Sequence, residues 1–279
     1  MTKKIRLTEN HHGKSAVRLL RVDRSETPHR LLEAEVDIRV EGQRKEAFSA
    51  GDNSSVLPTD TMKNTVYALA REQAPETIEA LGQVLAEHLV SEHEMVTRAA
   101  VEVEERIWSP IGPRPDAFER VGSERATTRV VVDGGGRRVR SGLTGLTLLK
   151  TAHSGFSGFP RDRYTTLVET DDRLLATRIT AAWSYRGEEL DYGVARAEVR
   201  RILVDTFAGH DSLSVQHTLY AMGQAVLEGV EEVWKIRLNL PNKHYHLADL
   251  APFGLDNPNQ VFVPTDEPFG NIEATLERT

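Results

Sequence analysis

Across residues 32–41 apolar and charged side chains alternate without a break. Leu32, Ala34, Val36, Ile38 and Val40 occupy one parity; Glu33, Glu35, Asp37, Arg39 and Glu41 occupy the other. A period of two is that of a β-strand, and one apolar face means an antiparallel sheet that is packed on one side and wet on the other. Gly42 ends the run, and an earlier strand is expected over residues 16–22. The period then changes. Met62, Val66 and Leu69 recur at helical spacing behind Pro58-Thr59-Asp60, with Thr59 in the N-cap role. Pro75-Glu76 opens a second helix that lines up Ile78, Leu81, Leu85 and Leu89. Strands return at 99–104 and 127–132, ahead of Gly134-Gly135-Gly136.

The second half repeats that order. Strands are expected at 164–168 and 175–183, then a helix over 192–207 with Gly209 as its C-cap. Another helix carries Val215, Leu219, Met222 and Val226 and stops near Gly229. A strand over 234–240 closes at Pro241. Strands, two helices and strands, twice over, predict an α+β chain of two tandem domains, 1–140 and 141–279, with the joint in 136–154. A helix pair covers one face of each sheet. The charged other face suits a polar-lined barrel whose edges are closed by oligomerisation.

Composition narrows the function. The 279 residues include no apolar run long enough to span a bilayer. Lys and Arg number 35 against 42 Asp and Glu, a net charge of −7, so a nucleic-acid footprint is absent and anionic membranes repel the chain. No cysteine is present, which excludes disulfides, thiolate metal sites, iron–sulfur clusters and cysteine nucleophiles, and suits a reducing compartment. Residues 1–6 lack the apolar stretch of a secretory leader. The final Leu276-Glu277-Arg278-Thr279 lacks a peroxisomal tripeptide. A cytoplasmic setting is expected.

Four segments have chemical potential. In His11-His12-Gly13-Lys14 the adjacent histidines point to opposite faces and chelate poorly; an exposed polar loop is the simpler reading. A lysine there acts as a base only where desolvation disfavours its charge. Residues 51–60 lead into a helix N-terminus, whose free N–H groups attract an anion or simply await a cap. Residues 155–162 hold Phe156 and Phe159 in a Gly-rich turn, able to stack on a flat ligand or to anchor the loop. Arg173, after Asp171-Asp172, is a fork for a planar acceptor or a solvated ion pair. His244 and His246 share one side of an extended segment, but no third metal ligand follows at a characteristic spacing. No dinucleotide fingerprint, Walker loop or nucleophile elbow occurs.

In order along the chain stand Gly13-Lys14; Thr59-Asp60 with Lys63-Asn64-Thr65; Phe156-x-Gly-Phe159 with Arg161-Asp162 and Tyr164-Thr165-Thr166-Leu167; Asp172-Arg173; Ser214-Val215-Gln216; and Asn242-Lys243-His244-Tyr245. This succession resembles the urate oxidase (uricase) family over nearly the whole chain. The resemblance implies two tandem T-fold (tunnelling-fold) domains and a homotetramer with each active site between subunits. It implies oxidation of urate by O2 and water to 5-hydroxyisourate and H2O2, with no metal and no organic cofactor. By the same resemblance Lys14, Thr59 and His244 form a catalytic proton relay, Phe156 stacks on the purine, and Arg173 and Gln216 grip its edges. The Val215 and Asp60 N–H groups bond it, Leu167 is a lesser wall candidate, and Asn242 stands above the ring at a shared O2 and water position. Lys14, Thr59, Asp60 and His244 are expected from the subunit facing the one that carries Arg173 and Gln216. His12 stands where the family often has Tyr, and Ser157 where a bulkier residue is common. The alternatives are a pterin-type T-fold enzyme, which anchors its ring with a Glu where Gln216 stands here, and a non-catalytic purine-binding protein, which has no use for the relay.

Overall fold

The alternating run becomes the second strand of an antiparallel sheet in the computed structural model, which describes residues 5–42, 45–187 and 190–279. The leader reading falls largely on Met1–Lys4, outside the described residues. The chain divides into two units, Met1–Gly142 and Leu143–Thr279. The first holds β1 (His12–Asp23), β2 (Arg30–Glu41), the short α1 (Lys45–Ala50), α2 (Thr59–Glu72), α3 (Ile78–Ser91), β3 (Arg98–Pro110) and β4 (Phe118–Asp133). Its strand order is β1-β2-β3-β4, with β1 at the edge. β5 (Gly136–Lys150) runs through the division at Gly142.

The physics of β2 organises this unit. Leu32, Ala34, Val36, Ile38 and Val40 are all buried, against Met62, Val66, Leu81, Leu85 and Leu89 of the two helices. Burying such a side chain stabilises by about 1.5–3 kcal/mol, so a one-residue slip of register would turn this whole row to water. The charges on the opposite face pair across strands: Arg18 with Glu35 at 2.6 Å, Arg106 with Glu33 at 3.0 Å, Arg129 with Glu102 at 2.5 Å. Of these, the exposed Arg18–Glu35 and Arg129–Glu102 pairs contribute roughly 0–1 kcal/mol each. They satisfy the wet face more than they hold it.

The second unit holds β6 (Leu175–Tyr185), α4 (Tyr192–Gly209), α5 (Val215–Gly229), β7 (Val233–Asn239), β8 (Asn242–Leu247), β9 (Phe262–Gly270) and β10 (Glu273–Glu277). β6, β7 and β10 are neighbours in that order, β10 at the edge; β8 pairs with β6 and β9. Ile179 and Trp183 of β6 pack with Leu203 of α4, Met222 of α5 and Ile236 of β7, and the indole N–H of Trp183 donates to the Tyr185 hydroxyl at 2.7 Å.

Several local expectations are corrected. The helix expected from Pro75 starts at Ile78, because the Thr77 side chain accepts from the Ala80 N–H at 3.2 Å and caps it, while the Pro75 carbonyl accepts from Arg21. α4 runs through Gly209 and is capped by His210 in an extended conformation. Residues 136–150, read as part of the joint, form the long strand β5. Residues 164–168 are not a strand. The Asp162 carboxylate accepts from the Tyr164 N–H and the Thr165 hydroxyl, both at 2.9 Å, and folds the segment into a turn that leaves Tyr164 and Val168 exposed. No described helix is long and apolar enough to cross a membrane.

Candidate active site

The implied site residues fall into two groups, one in each unit. Lys14, Thr59 and Asp60 form the first. Lys14 lies on β1 opposite Ile38, whose side chain is buried, and directly opposed residues share a face. Lys14 therefore starts from the helix side of the sheet. Val17 also faces that side, opposite Val36, although it is three positions on from Lys14. A regular strand would put positions 14 and 17 on opposite faces. The register shift between Lys14 and Val17 is a β-bulge, and it re-aims Lys14. Ala16 takes a left-handed φ of 57° there, and its N–H donates to the Asp37 carboxylate at 2.7 Å. Gly13 is required beside it: a Cβ at that position would stand 1.8 Å from the Ile38 carbonyl oxygen.

α2 brings the other two members. Its N-cap is Pro58, extended at φ −60° and ψ 136°, with no side-chain cap bond; Thr59 is the first helical residue. This corrects the N-cap expectation. No side chain caps α2, so the Thr59 hydroxyl is not engaged as an N-cap. The Asp60 carboxylate is turned back along the helix, accepting from Lys63 at 2.5 Å and from the Asn64 amide at 3.0 Å. The Lys63 bond, helped by the charge of Lys14, holds the Asp60 carboxyl below the usual range. The Asp60 N–H lies in the first turn, where no helical carbonyl precedes it, and faces the positive end of the helix dipole. His12 is not part of a free loop: its Nε2 lies 2.8 Å from the Leu57 carbonyl oxygen, fastening β1 to the loop that enters α2.

Phe156, Arg173, Val215, Gln216, Asn242 and His244 form the second group. Two backbone bridges assemble its Phe156, Arg173 and α5 part. The Phe156 N–H donates to the Thr170 carbonyl at 2.7 Å and the reciprocal bond is 3.1 Å, which ties the Phe156 loop to the approach of Arg173. The Gly155 N–H donates to the Ser212 carbonyl at 2.8 Å, which ties the same loop to the entry of α5. The Phe156 ring stacks on Phe159 with centroids 5.0 Å apart, and the Arg173 guanidinium carbon lies 5.2 Å from the Phe156 centroid. Phe159 thus anchors Phe156, as the loop-anchor reading expects. Arg173 is not a solvated ion pair: it is half-buried, its Nε has no partner among the described residues, and burial lowers its proton affinity. Ser214 caps α5 through the His217 N–H at 3.1 Å, which leaves the N–H groups of Val215 and Gln216 in the open first turn.

Asn242 and His244 lie on β8, which joins β6 through the pairs Thr177–Asn242 and Ala176–Lys243. His244 therefore lies in the second unit, on the same strand as Asn242. β8 is fixed as the partner of the strand that follows Arg173, and His244 is two residues from Asn242. Its ring stacks on His246 at 6.0 Å. Among the described residues no group of three His, Asp or Glu could hold a metal ion. Leu167 is exposed on the 164–168 turn. Sequence reasoning missed the bulge with its Asp37 anchor, the His12–Leu57 bond and the Gly155–Ser212 bond. The first and third have no periodic signal, and the second depends on a backbone carbonyl 45 residues away.

Within the second unit the aromatic ring of Phe156, the guanidinium fork of Arg173 and the open N-terminus of α5 are thus brought together. The uricase family model matches residues 10–131 and 139–273. The chain is 43% identical over 275 residues to a uricase of Arthrobacter globiformis, covering 99% of this chain and 91% of that one. It is 38% identical to a uricase-2 of Phaseolus vulgaris, covering 97% and 95%. The crystal structure of the Arthrobacter globiformis uricase superposes with a TM-score of 0.95 at 42% identity, over 99% of this chain and 96% of that chain. A urate oxidase mutant of Bacillus sp. TB-90 gives 0.85 at 25% identity, over 97% and 100%. The α+β tandem T-fold is therefore the fold of this chain, and the chain belongs to the uricase family.

Proposed function

We propose that this chain oxidises urate by a Lys14–Thr59–His244 proton relay, needing neither metal nor organic cofactor, at sites shared between the subunits of a homotetramer. Family membership makes it a urate oxidase, an oxidoreductase of purine degradation. Urate, O2 and water give 5-hydroxyisourate and H2O2. Two electrons leave the purine for O2, and the oxygen of water is added to the ring. A urate anion is electron-rich enough to start that transfer. The protein's work is to remove protons, hold the ring plane and place O2 and water over it.

The observation that carries the reading is the assembly of Phe156, Arg173 and the α5 N-terminus by the Thr170 and Ser212 bridges. Arg173 supplies an unpaired buried donor, Gln216 an amide and Val215 an N–H, which suit the paired donors and acceptors of a purine edge. In the other unit, Lys14 and Thr59 share the helix side of the sheet, with the Thr59 hydroxyl not engaged as an N-cap. Asp60 adds its N–H. Asn242 holds the shared O2 and water position, and His244, on the same strand, delivers or tunes the relay proton.

Oligomer formation closes the edges at β1 and β10. The homotetramer places Lys14, Thr59 and Asp60 of one subunit against the Arg173 group of another. A cytoplasmic setting belongs to the same proposal. Co-assembly of Lys14→Met and Arg173→Ala subunits tests the shared site. Each variant alone is crippled, while random mixing regenerates intact sites at about a quarter of the interfaces. Recovered turnover in the mixture supports the proposal; a mixture no better than its components contradicts it.

A further inference from the structure

Thr177 is fully buried on β6, yet its hydroxyl oxygen has no hydrogen-bond partner among the described residues. A buried hydroxyl left unpaired is penalised by lost hydration, whereas Val has the same shape and no such penalty. The other inward positions of this strand follow the apolar rule: Leu175, Ile179, Ala181 and Trp183. Packing alone therefore does not account for a threonine here.

Its register partner is polar too. Thr177 opposes Asn242 on β8. Directly opposed residues of an antiparallel pair put their side chains on one face with Cβ atoms about 4.5–5.5 Å apart, within reach of a hydroxyl and an amide. On its other side Asn242 opposes Gly270 of β9, which offers it no side chain. The Asn242 side chain thus has a glycine on one flank and a partnerless buried hydroxyl on the other. An Asn amide is a donor at one end and an acceptor at the other, and its function depends on which end faces the ligand.

We propose that Thr177 is a positioning residue for Asn242. In the loaded site its hydroxyl donates to the Asn242 side-chain carbonyl and turns the amide nitrogen toward the O2 and water position. The inference rests on the reading that Asn242 serves that position. Thr177 touches no reacting atom, so its loss affects turnover and not urate affinity.

The test compares Thr177→Val, Thr177→Ser, Asn242→Ala and the Thr177→Val/Asn242→Ala double variant, each as the intact oligomer. Melting temperature, anaerobic urate binding and kcat are measured. Thr177→Val is expected to melt at or above the wild-type temperature and to bind urate unchanged. Its kcat should fall about tenfold, with Thr177→Ser restoring most of it. In the Asn242→Ala background the further loss from Thr177→Val should vanish. Wild-type kcat in Thr177→Val with an impaired Asn242→Ala overturns the inference alone. So does a full, additive loss in the double variant, and so does a Thr177→Val defect that follows lost stability and weakened urate binding. Wild-type turnover in Asn242→Ala overturns the reading of Asn242 and the inference with it.

Discussion

His12 Nε2 lies 2.8 Å from the Leu57 carbonyl oxygen, so the strand that carries Lys14 is fastened to the loop that ends in Thr59. A carbonyl only accepts, so the ring donates from Nε2. His12→Phe keeps the ring and removes the donor. The expected result is a loss of about 1 kcal/mol in stability and a several-fold fall in kcat, with anaerobic urate affinity held by the Arg173 group. His12→Tyr, which returns a donor, should recover part of it. Unchanged kcat in His12→Phe would mean that the bond fastens nothing the reaction uses.

The two groups should fail differently. Lys14→Met removes an amine from the relay and should lower kcat by roughly 10²-fold or more, with a small effect on urate binding. Arg173→Ala removes the half-buried fork beside Phe156 and should raise KM while also lowering kcat, because one edge of a bound anion loses its partner. Near-normal turnover in the first variant, or wild-type urate affinity in the second, contradicts the assigned roles.

The bulge between Lys14 and Val17 makes a separate prediction. Asp37→Ala removes the acceptor of the Ala16 N–H and lets β1 relax, so kcat should fall while Arg173-dependent binding persists. Ala16→Gly keeps the bulge and removes the left-handed strain, so the melting temperature should rise by the equivalent of about 1 kcal/mol. A lower melting temperature in Ala16→Gly would show that the alanine is not strained.

The Asp60–Lys63 pair sets a pH signature at α2. The native Asp60 carboxyl titrates below its unfolded value, first because of the Lys63 bond. Its contribution is therefore present above the unfolded value, near pH ~3.9, and is lost as pH falls through the lower native one. Lys63→Met should melt slightly lower than wild type at neutral pH, and the difference should close on acidification below that value. A difference independent of pH would assign the Lys63 effect to packing.

The alternation that defines β2 was legible because one face is buried and the other pairs with charges, and the amphipathic stripes of α2, α3 and α5 were legible for the same reason. β5 was not: Gly134 to Gly136 and the arginines after them resemble a linker, and only pairing makes a strand of them. Tyr164-Thr165-Thr166-Leu167-Val168 has strand chemistry, but Asp162 captures its N–H and hydroxyl groups first. Thr59 resembled a cap because caps are read from residue type, while Pro58 holds that place through backbone conformation. At the site, side chains in motifs could be read in order. The devices that aim them, namely the bulge at Ala16, the Ser212 bridge and the Thr177–Asn242 pairing, are relations between distant backbones, and no local pattern encodes them.

The most direct test of the account is urate loss by ultraviolet absorbance, with peroxide followed in parallel, on chelator-treated protein. The account predicts urate consumption matched one to one by peroxide and undiminished by chelation. Saturable urate binding without turnover, or activity that disappears with the chelator and returns with a metal, would contradict it.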